Sequence, residues 1–371
     1  MVATEMKVLF DHQIFTAQQY GGISQYFAEL QQHLNGSSVV PDYFSPNEYY
    51  SAGRNRNPVG QFPLSYYFNE AMNRAITYRE LYGGDFDIFH PTYYSPYFLP
   101  HLGKKPYILT VFDMIHEQQP GMFGDSEKII RDKKRLIENA AHIIAISENT
   151  KRDICRFTGT DPERVSVTHL ATSIYPKRIP ALDLPPRYIL YVGNRQSEYK
   201  GLWAFLRAAG ELLREDPGLS VVLAGGGPPT TAEQNYLPGR IHQIPVTADT
   251  IAHLYQQAEL FVFPSRYEGF GIPLLESMTC GCPVVCTDIP VFCEVAGDAA
   301  VYYDPAKPGS LCMAMKDAMN NREELQRKGR ARAALYSWQR TAEQTKRIYE
   351  TVIRRCSLLL QGKTLTKNER F

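Results

Sequence analysis

Short apolar runs alternate with longer amphipathic stretches along the chain, the pattern of βα units wound on a mostly parallel sheet. In a first series, Lys7–Phe10, Ile88–His90, Tyr107–Phe112, Ile143–Ile146 and Val165–Val167 read as strands. Between the first two, Ile23, Phe27, Leu30 and Leu34 recur at helical spacing behind a Gly21-Gly22 turn. Ser147 closes the fourth strand and is placed to cap a helix beginning at Glu148. Four prolines between Tyr175 and Arg187 exclude regular structure and predict a linker. A second series follows, with strands at Tyr188–Val192, Ser220–Ala224, Leu260–Phe263, Pro283–Cys286 and Ala300–Tyr302 and a helix at Leu202–Leu213. Asp317–Leu359 is charged and helical in pattern, and Gly362–Phe371 is a polar tail. No internal repeat is visible.

The 371 residues exceed what one growing core accommodates, so the two series predict two Rossmann-like α/β domains. A ligand is expected between them, at the carboxyl ends of the strands. The apolar fraction of 44% and charged fraction of 21% are those of an ordinary globular protein. A net charge of +1 argues against a nucleic-acid partner, which calls for a basic excess. The N-terminus lacks a signal-peptide pattern, and no apolar run approaches the roughly 20 residues that span a bilayer, so a cytoplasmic location is expected. Seven unevenly spaced cysteines suit a reducing compartment better than a disulfide framework. Cys280 and Cys282 are too close together for a zinc pair and read as small buried thiols.

Candidate chemistry concentrates in Phe261–Cys286, FVFPSRYEGFGIPLLESMTCGCPVVC. After the strand, Gly269-Phe270-Gly271 lets backbone N–H groups approach a ligand closely. Pro273 suits the first position of a helix and Gly281 the residue past its end. The helix start then offers its positive pole and unpaired N–H groups to phosphate. Glu276 is expected in the first turn, within reach of ribose hydroxyls, and Glu268 before the glycines, where it would accept bonds from sugar hydroxyls. An isolated pair of glutamates would read as surface carboxylates.

As an extended run, PSRYEGFGIPLLESMTCGCPVV closely resembles the Glu-x7-Glu motif of the retaining GT-B glycosyltransferases of family 4. The resemblance implies a GT-B fold, two Rossmann-like domains facing a central cleft, with a C-terminal helix returning to the N-terminal domain. The boundaries it suggests are an acceptor domain at 1–178, a donor domain at 188–345 and a returning helix and tail at 346–371. Matched to the motif, the donor site would comprise Glu268, Gly269, Phe270, Gly271, Ile272, Pro273, Leu274 and Glu276. The loop Tyr191–Leu202, YVGNRQSEYKGL, resembles the one that places Arg195 and Lys200 on the donor diphosphate, where fixed cations stabilise the charge of the leaving group. Gly225 opens a turn resembling the family's turn beside the nucleotide base, and Pro245 and Val246 would neighbour that base, although Val246 reads equally as core.

From the first domain, Gly21 and Gly22 resemble the family's glycine loop beside donor phosphates and acceptor. Where many relatives read Thr-Val-His-Asp, this chain has Thr110-Val111-Phe112-Asp113, which puts a catalytic histidine in doubt and leaves Asp113 as a candidate contact. His116 reads first as a structural histidine. Paired tyrosines between Tyr43 and Tyr97 suit sugar stacking and protein cores equally.

What the resemblance implies for the reaction is hexose transfer with retention, from a GDP-linked mannose or 6-deoxyhexose as first choice, with UDP-sugars open. The acceptor would be a saccharide or lipid-linked saccharide in bacterial polysaccharide or lipopolysaccharide synthesis. No cofactor and no metal is expected beyond the nucleotide-sugar co-substrate, and no Asp-x-Asp motif is clear. The basic segment Ser126–Ala140 suits either contact with anionic membrane or a solvated helix face. Other readings of the same fold are a sugar-nucleotide 2-epimerase and a non-catalytic nucleotide-sugar-binding subunit. A nicotinamide dehydrogenase is disfavoured, since no G-x-G-x-x-G follows the first strand.

Overall fold

A computed structural model describes residues 6–34, 36–51, 65–177 and 182–361. The chain divides into two units, Met1–Leu170 with Trp338–Phe371, and Ala171–Ser337. In the first unit, β1 (Val8–Phe10) pairs in parallel with β2 (Ser38–Val39) and β3 (Ile88–His90). β4 (Ile108–Val111), β5 (His142–Ala145) and β6 (Val165–Val167) form a second parallel ladder. One parallel bridge, Phe89 to Tyr107, links β3 to β4, so the strands run in the order 2-1-3-4-5-6. The second unit has a six-stranded sheet. Its strands are β7 (Tyr188–Val192), β8 (Ser220–Ala224), β9 (Ile241–Ile244), β10 (Leu260–Phe263), β11 (Val284–Thr287) and β12 (Val301–Tyr303). They are all parallel, in the order 12-11-10-7-8-9.

The apolar runs form strands because helices cover both sheet faces, so successive side chains are buried on either side. Every residue of β1, β3, β4, β5, β10 and β11 is buried. The β9 strand, IHQI, is only partly buried and lies at a sheet edge, and β2 is two residues long. Neither carries an apolar run, so the sequence reading did not foresee them. Ser147 caps the Glu148–Thr158 helix, its side chain accepting from the Thr150 N–H. Residues 171–177 and 182–187 have no regular structure, and the rest of the expected linker, 178–181, lies outside the described residues.

The two units differ from the expected boundaries at two points, and the first is that the opening stretch of the first unit ends at Leu170 rather than 178. The second is the return to the first unit, which begins at Trp338 rather than 346, because Trp338–Leu360 is a single continuous helix. It is tied in along its length. Thr341 donates to the His169 carbonyl at 2.6 Å, the Trp338 ring lies 6.3 Å from Tyr26, and the Tyr349 hydroxyl is 2.5 Å from His90 Nδ1. The other His90 nitrogen bonds Thr110 on β4, so this buried imidazole links sheet and returning helix, and burial lowers its pKa to about 3. The tail from 362 onward lies outside the described residues.

Candidate active site

In the second unit the chain winds from β7 outward through β8 and β9, then returns to build β10, β11 and β12 on the other flank. The loops leaving β7 and β10 therefore diverge, opening the crevice where parallel α/β sheets hold ligands. Two contacts join these loops. The Arg266 N–H donates to the Tyr199 carbonyl at 2.8 Å, and Lys200 Nζ lies 2.6 Å from Glu268 Oε1. Both side chains of the ion pair are largely covered, with 20% and 16% of their surface exposed. Gly201 makes this approach feasible: its φ is +73°, and an added Cβ would strike the Pro264 carbonyl. Lys200 and Glu268, 68 positions apart in sequence, are thus brought together.

Arg195 occupies a different place from the one expected. Its side chain is buried and donates to the carbonyls of Gly225 (2.7 Å), Gly226 (3.3 Å), Gly227 and Pro228 (2.8 Å). Its Nε lies 3.3 Å from Glu233, itself buried in a capping box with Thr230. The turn it braces has three successive glycines with φ near +70° to +84°, a backbone that other residues rarely adopt. Arg195 therefore shapes the turn after β8 in this structure, and its guanidinium is committed to protein groups. The sequence showed an arginine on a loop, but nothing in it singled out Glu233.

The helix after β10 runs Ile272–Thr279, starting one residue before Pro273. Gly271 precedes it at φ +100°, and Gly281 follows its C-cap at φ +74°. Glu276 is consequently the fifth helical residue, past the first turn where it was expected. Its Oε2 accepts from the Tyr255 hydroxyl at 3.1 Å, and burial pushes its carboxyl up to about 7, the Tyr255 hydrogen bond acting in the opposite direction. Phe270 and Leu274 are buried, Phe270 packing edge-on to Tyr336 at 5.9 Å, whereas Gly269, Ile272 and Pro273 are partly exposed. Beneath this loop Ser265 Oγ is buried without a partner among the described residues. Tyr255 and Ser265 were missed because an aromatic at helical spacing and a serine beside a proline both read as ordinary structure. Pro245 and Val246 lie exposed between β9 and the Ala248–Gln257 helix, so Val246 is not core.

In the first unit, Gly21 is the N-cap of the Gly22–His33 helix, and an added Cβ there would collide with Gln18. Phe112 is buried 5.3 Å from the Tyr26 ring, a packing position. Asp113 is partly exposed, with Oδ1 accepting from the Ile115 N–H at 3.0 Å. His116 pairs with Ser126 at 3.1 Å and lies against Phe123. Lys133 does not lie on the basic face of its helix. It is fully buried, 3.0 Å from Glu117 and bonded to the Asp113 carbonyl. Cys280 and Cys282, the expected buried thiols, are enclosed, as are Cys286 and Cys312, whereas Cys155 and Cys356 are partly exposed and Cys293 is exposed.

Two Rossmann-like parallel sheets, the second with paired charges and a glycine-flanked helix start at its point of reversal, define a GT-B architecture. Residues 20–173 match the family described as Glycosyltransferase Family 4, and residues 177–334 match Glycosyl transferases group 1. The chain belongs to this glycosyltransferase family and is an enzyme of that class. It is 29% identical over 289 residues to O-antigen chain mannosyltransferase B of Escherichia coli, covering 70% of this chain and 74% of that protein. In fold it is similar to sucrose-phosphate synthase of Thermosynechococcus elongatus, with a TM-score of 0.73, 19% identity and coverage of 94% and 99%. A complex of Anabaena HepE with UDP and glucose gives a TM-score of 0.69 at 16% identity, covering 93% and 99%. Among the described residues, no helix is long and apolar enough to cross a membrane.

The raised carboxyl of Glu276 has a measurable consequence. A folded value near 7, above the ordinary 4.5, means that its contribution to stability is complete below about 4.5 and is lost as pH rises through about 7. Without donor, Glu276→Gln should therefore gain Tm relative to wild type as pH rises from about 5 to about 8, by a few degrees. A difference between the two proteins that stays flat across this range would show that Glu276 ionises normally.

Proposed function

We propose that the enzyme transfers mannose or a 6-deoxyhexose, with retention, from a GDP-sugar to a saccharide or lipid-linked saccharide during bacterial surface polysaccharide synthesis in the cytoplasm. The observation that carries the donor half is the Lys200–Glu268 pair across the reversal point, beside the Ile272–Thr279 helix start. The likeness to an O-antigen mannosyltransferase supports the sugar. A UDP-sugar is the second reading, favoured by the UDP bound in HepE.

Lys200, oriented by Glu268, stabilises the diphosphate as it leaves, and the N–H groups at the helix start do the same through fixed dipoles. The Glu268 carboxylate accepts bonds from sugar hydroxyls, and Glu276 engages the ribose. Arg195 acts by holding the Gly225–Pro228 turn in shape, and reaches the diphosphate only by leaving those carbonyls. The acceptor hydroxyl enters on the face from which the diphosphate departs, and a departing phosphate oxygen takes its proton. A nucleophile opposite an acid, the other route to retention, requires a second carboxylate across the sugar, and Glu268 and Glu276 have the roles just given. No resident metal takes part in this reading.

A thermal-shift screen with GDP, UDP, ADP and their sugars, run in EDTA, tests it, because ligand binding raises Tm with affinity. GDP and GDP-mannose should give the largest rise. Lys200→Ala should lower kcat/KM by about a hundredfold or more, with little change in Tm. No response to any nucleoside diphosphate would refute the donor assignment, and a larger response to UDP would transfer it to the second reading.

A membrane-bound acceptor would be met by the exposed basic side of the Ser126–Asn139 helix, Lys128, Arg131, Lys134 and Arg135, with buried Lys133 excluded. Sedimentation with phosphatidylglycerol vesicles should fall severalfold in the double variant Lys134→Glu/Arg135→Glu. Equal sedimentation of both proteins would eliminate this surface.

A further inference from the structure

A glutamate side chain is long and flexible, so a carboxylate that grips a ligand in one pose needs something to hold it. The carboxylate of Glu276 has one hydrogen-bond partner among the described residues, the Tyr255 hydroxyl, 3.1 Å from Oε2 and 21 positions away in sequence. Tyr255 lies on a helix that is itself fixed. The Ala248–Gln257 helix starts in a capping box between Thr247 and Thr250. The Tyr188 hydroxyl of β7 donates to the Leu254 carbonyl at 2.8 Å, and Arg322 donates to the carbonyl of the C-cap residue, Ala258, at 3.1 Å. The Tyr255 ring is fully buried and lies edge-on to Phe261 of β10 at 5.2 Å. A phenol turns about few bonds, and this packing stops them, so its hydroxyl is a fixed donor aimed at one carboxylate oxygen.

The rest of the carboxylate is left for a ligand. Glu276 is partly exposed, and an ionised carboxyl has about four acceptor positions, of which Tyr255 fills one. With Oε2 pinned, the remaining positions keep a set direction, which lowers the cost of engaging two neighbouring hydroxyls of one ring. Burial holds the Tyr255 hydroxyl well above its usual pKa, so it donates throughout the neutral range. That same bond favours the ionised form of Glu276, against the effect of burial. The other titratable side chains beside this pair, Cys280 and Cys282, are pushed up to about 12 by burial and stay uncharged.

We propose that Tyr255 is a positioning residue for donor binding, its hydroxyl holding Glu276 in the pose that accepts from both ribose hydroxyls of the nucleotide. The inference rests on the donor reading, in which Glu276 engages the ribose. Tyr255 stays buried and acts through Glu276 alone. The pair thereby selects nucleotides that carry the ribose diol over those that lack it.

Calorimetric titration of the full-length protein with GDP, UDP and their 2′,3′-dideoxy forms tests it. Wild type should bind the preferred ribonucleotide about tenfold or more tighter than its dideoxy form. Tyr255→Phe, which keeps the ring, should weaken the ribonucleotide roughly fivefold and leave the dideoxy form unchanged. Tyr255→Met also lacks the hydroxyl, should behave alike, and keeps the test valid if Tyr255→Phe does not fold. In Glu276→Gln, adding Tyr255→Phe should cost nothing further, since the two residues act as one unit. The preference also has a pH signature, in which titration of the shared diphosphate cancels. It should fall as Glu276 takes up its proton, and Tyr255→Phe should move that midpoint up, because the bond it removes favours the carboxylate. Equal losses for both nucleotide forms, an unchanged preference or an unmoved midpoint would overturn the inference and leave the donor reading standing. No preference in wild type would overturn the ribose contact and this inference together, whereas no binding of any of these nucleotides refutes the donor reading itself.

Discussion

The reversal of strand order between β7 and β10 is the constraint on which the donor-side chemistry depends. Two adjacent parallel strands whose chains leave in opposite directions must part at their carboxyl ends, and the gap exposes loop backbone and a helix start. The 2.6 Å Lys200–Glu268 pair and the Arg266–Tyr199 backbone hydrogen bond hold that gap to a fixed width. Around it the glycines serve geometry: Gly201 lets one loop pass the Pro264 carbonyl, and Gly271 sets the start of the helix. Arg195 works at one remove, bracing the neighbouring turn from a buried position.

Much of the fold was legible because burial of both sheet faces writes each inner strand as an unbroken apolar run. LFVF at β10 and HIIA at β5 could scarcely be anything else once placed in a βα alternation. The edge strand IHQI left no such mark, since half-buried positions tolerate polar residues. The returning helix was visible as a charged helical stretch, but its junction at Trp338 was not. That point is fixed by tertiary contacts, such as Thr341 with His169, between residues far apart in the chain.

Within the candidate site, residue types were readable and their partners were not. Arg195 looked like an exposed phosphate ligand because a sequence does not reveal that Glu233 and four turn carbonyls converge on it. Glu276 stood out within its motif, while the Tyr255 hydroxyl that meets it came from a helix position with the spacing of core. Lys133 looked like part of a basic face until Glu117 was found opposite it.

A crystal structure of the protein with GDP bound would test the donor site most directly. The diphosphate should lie within hydrogen-bond reach of Lys200 and of the backbone N–H groups at the start of the Ile272–Thr279 helix, with the ribose beside Glu276. A diphosphate seated anywhere else would contradict it.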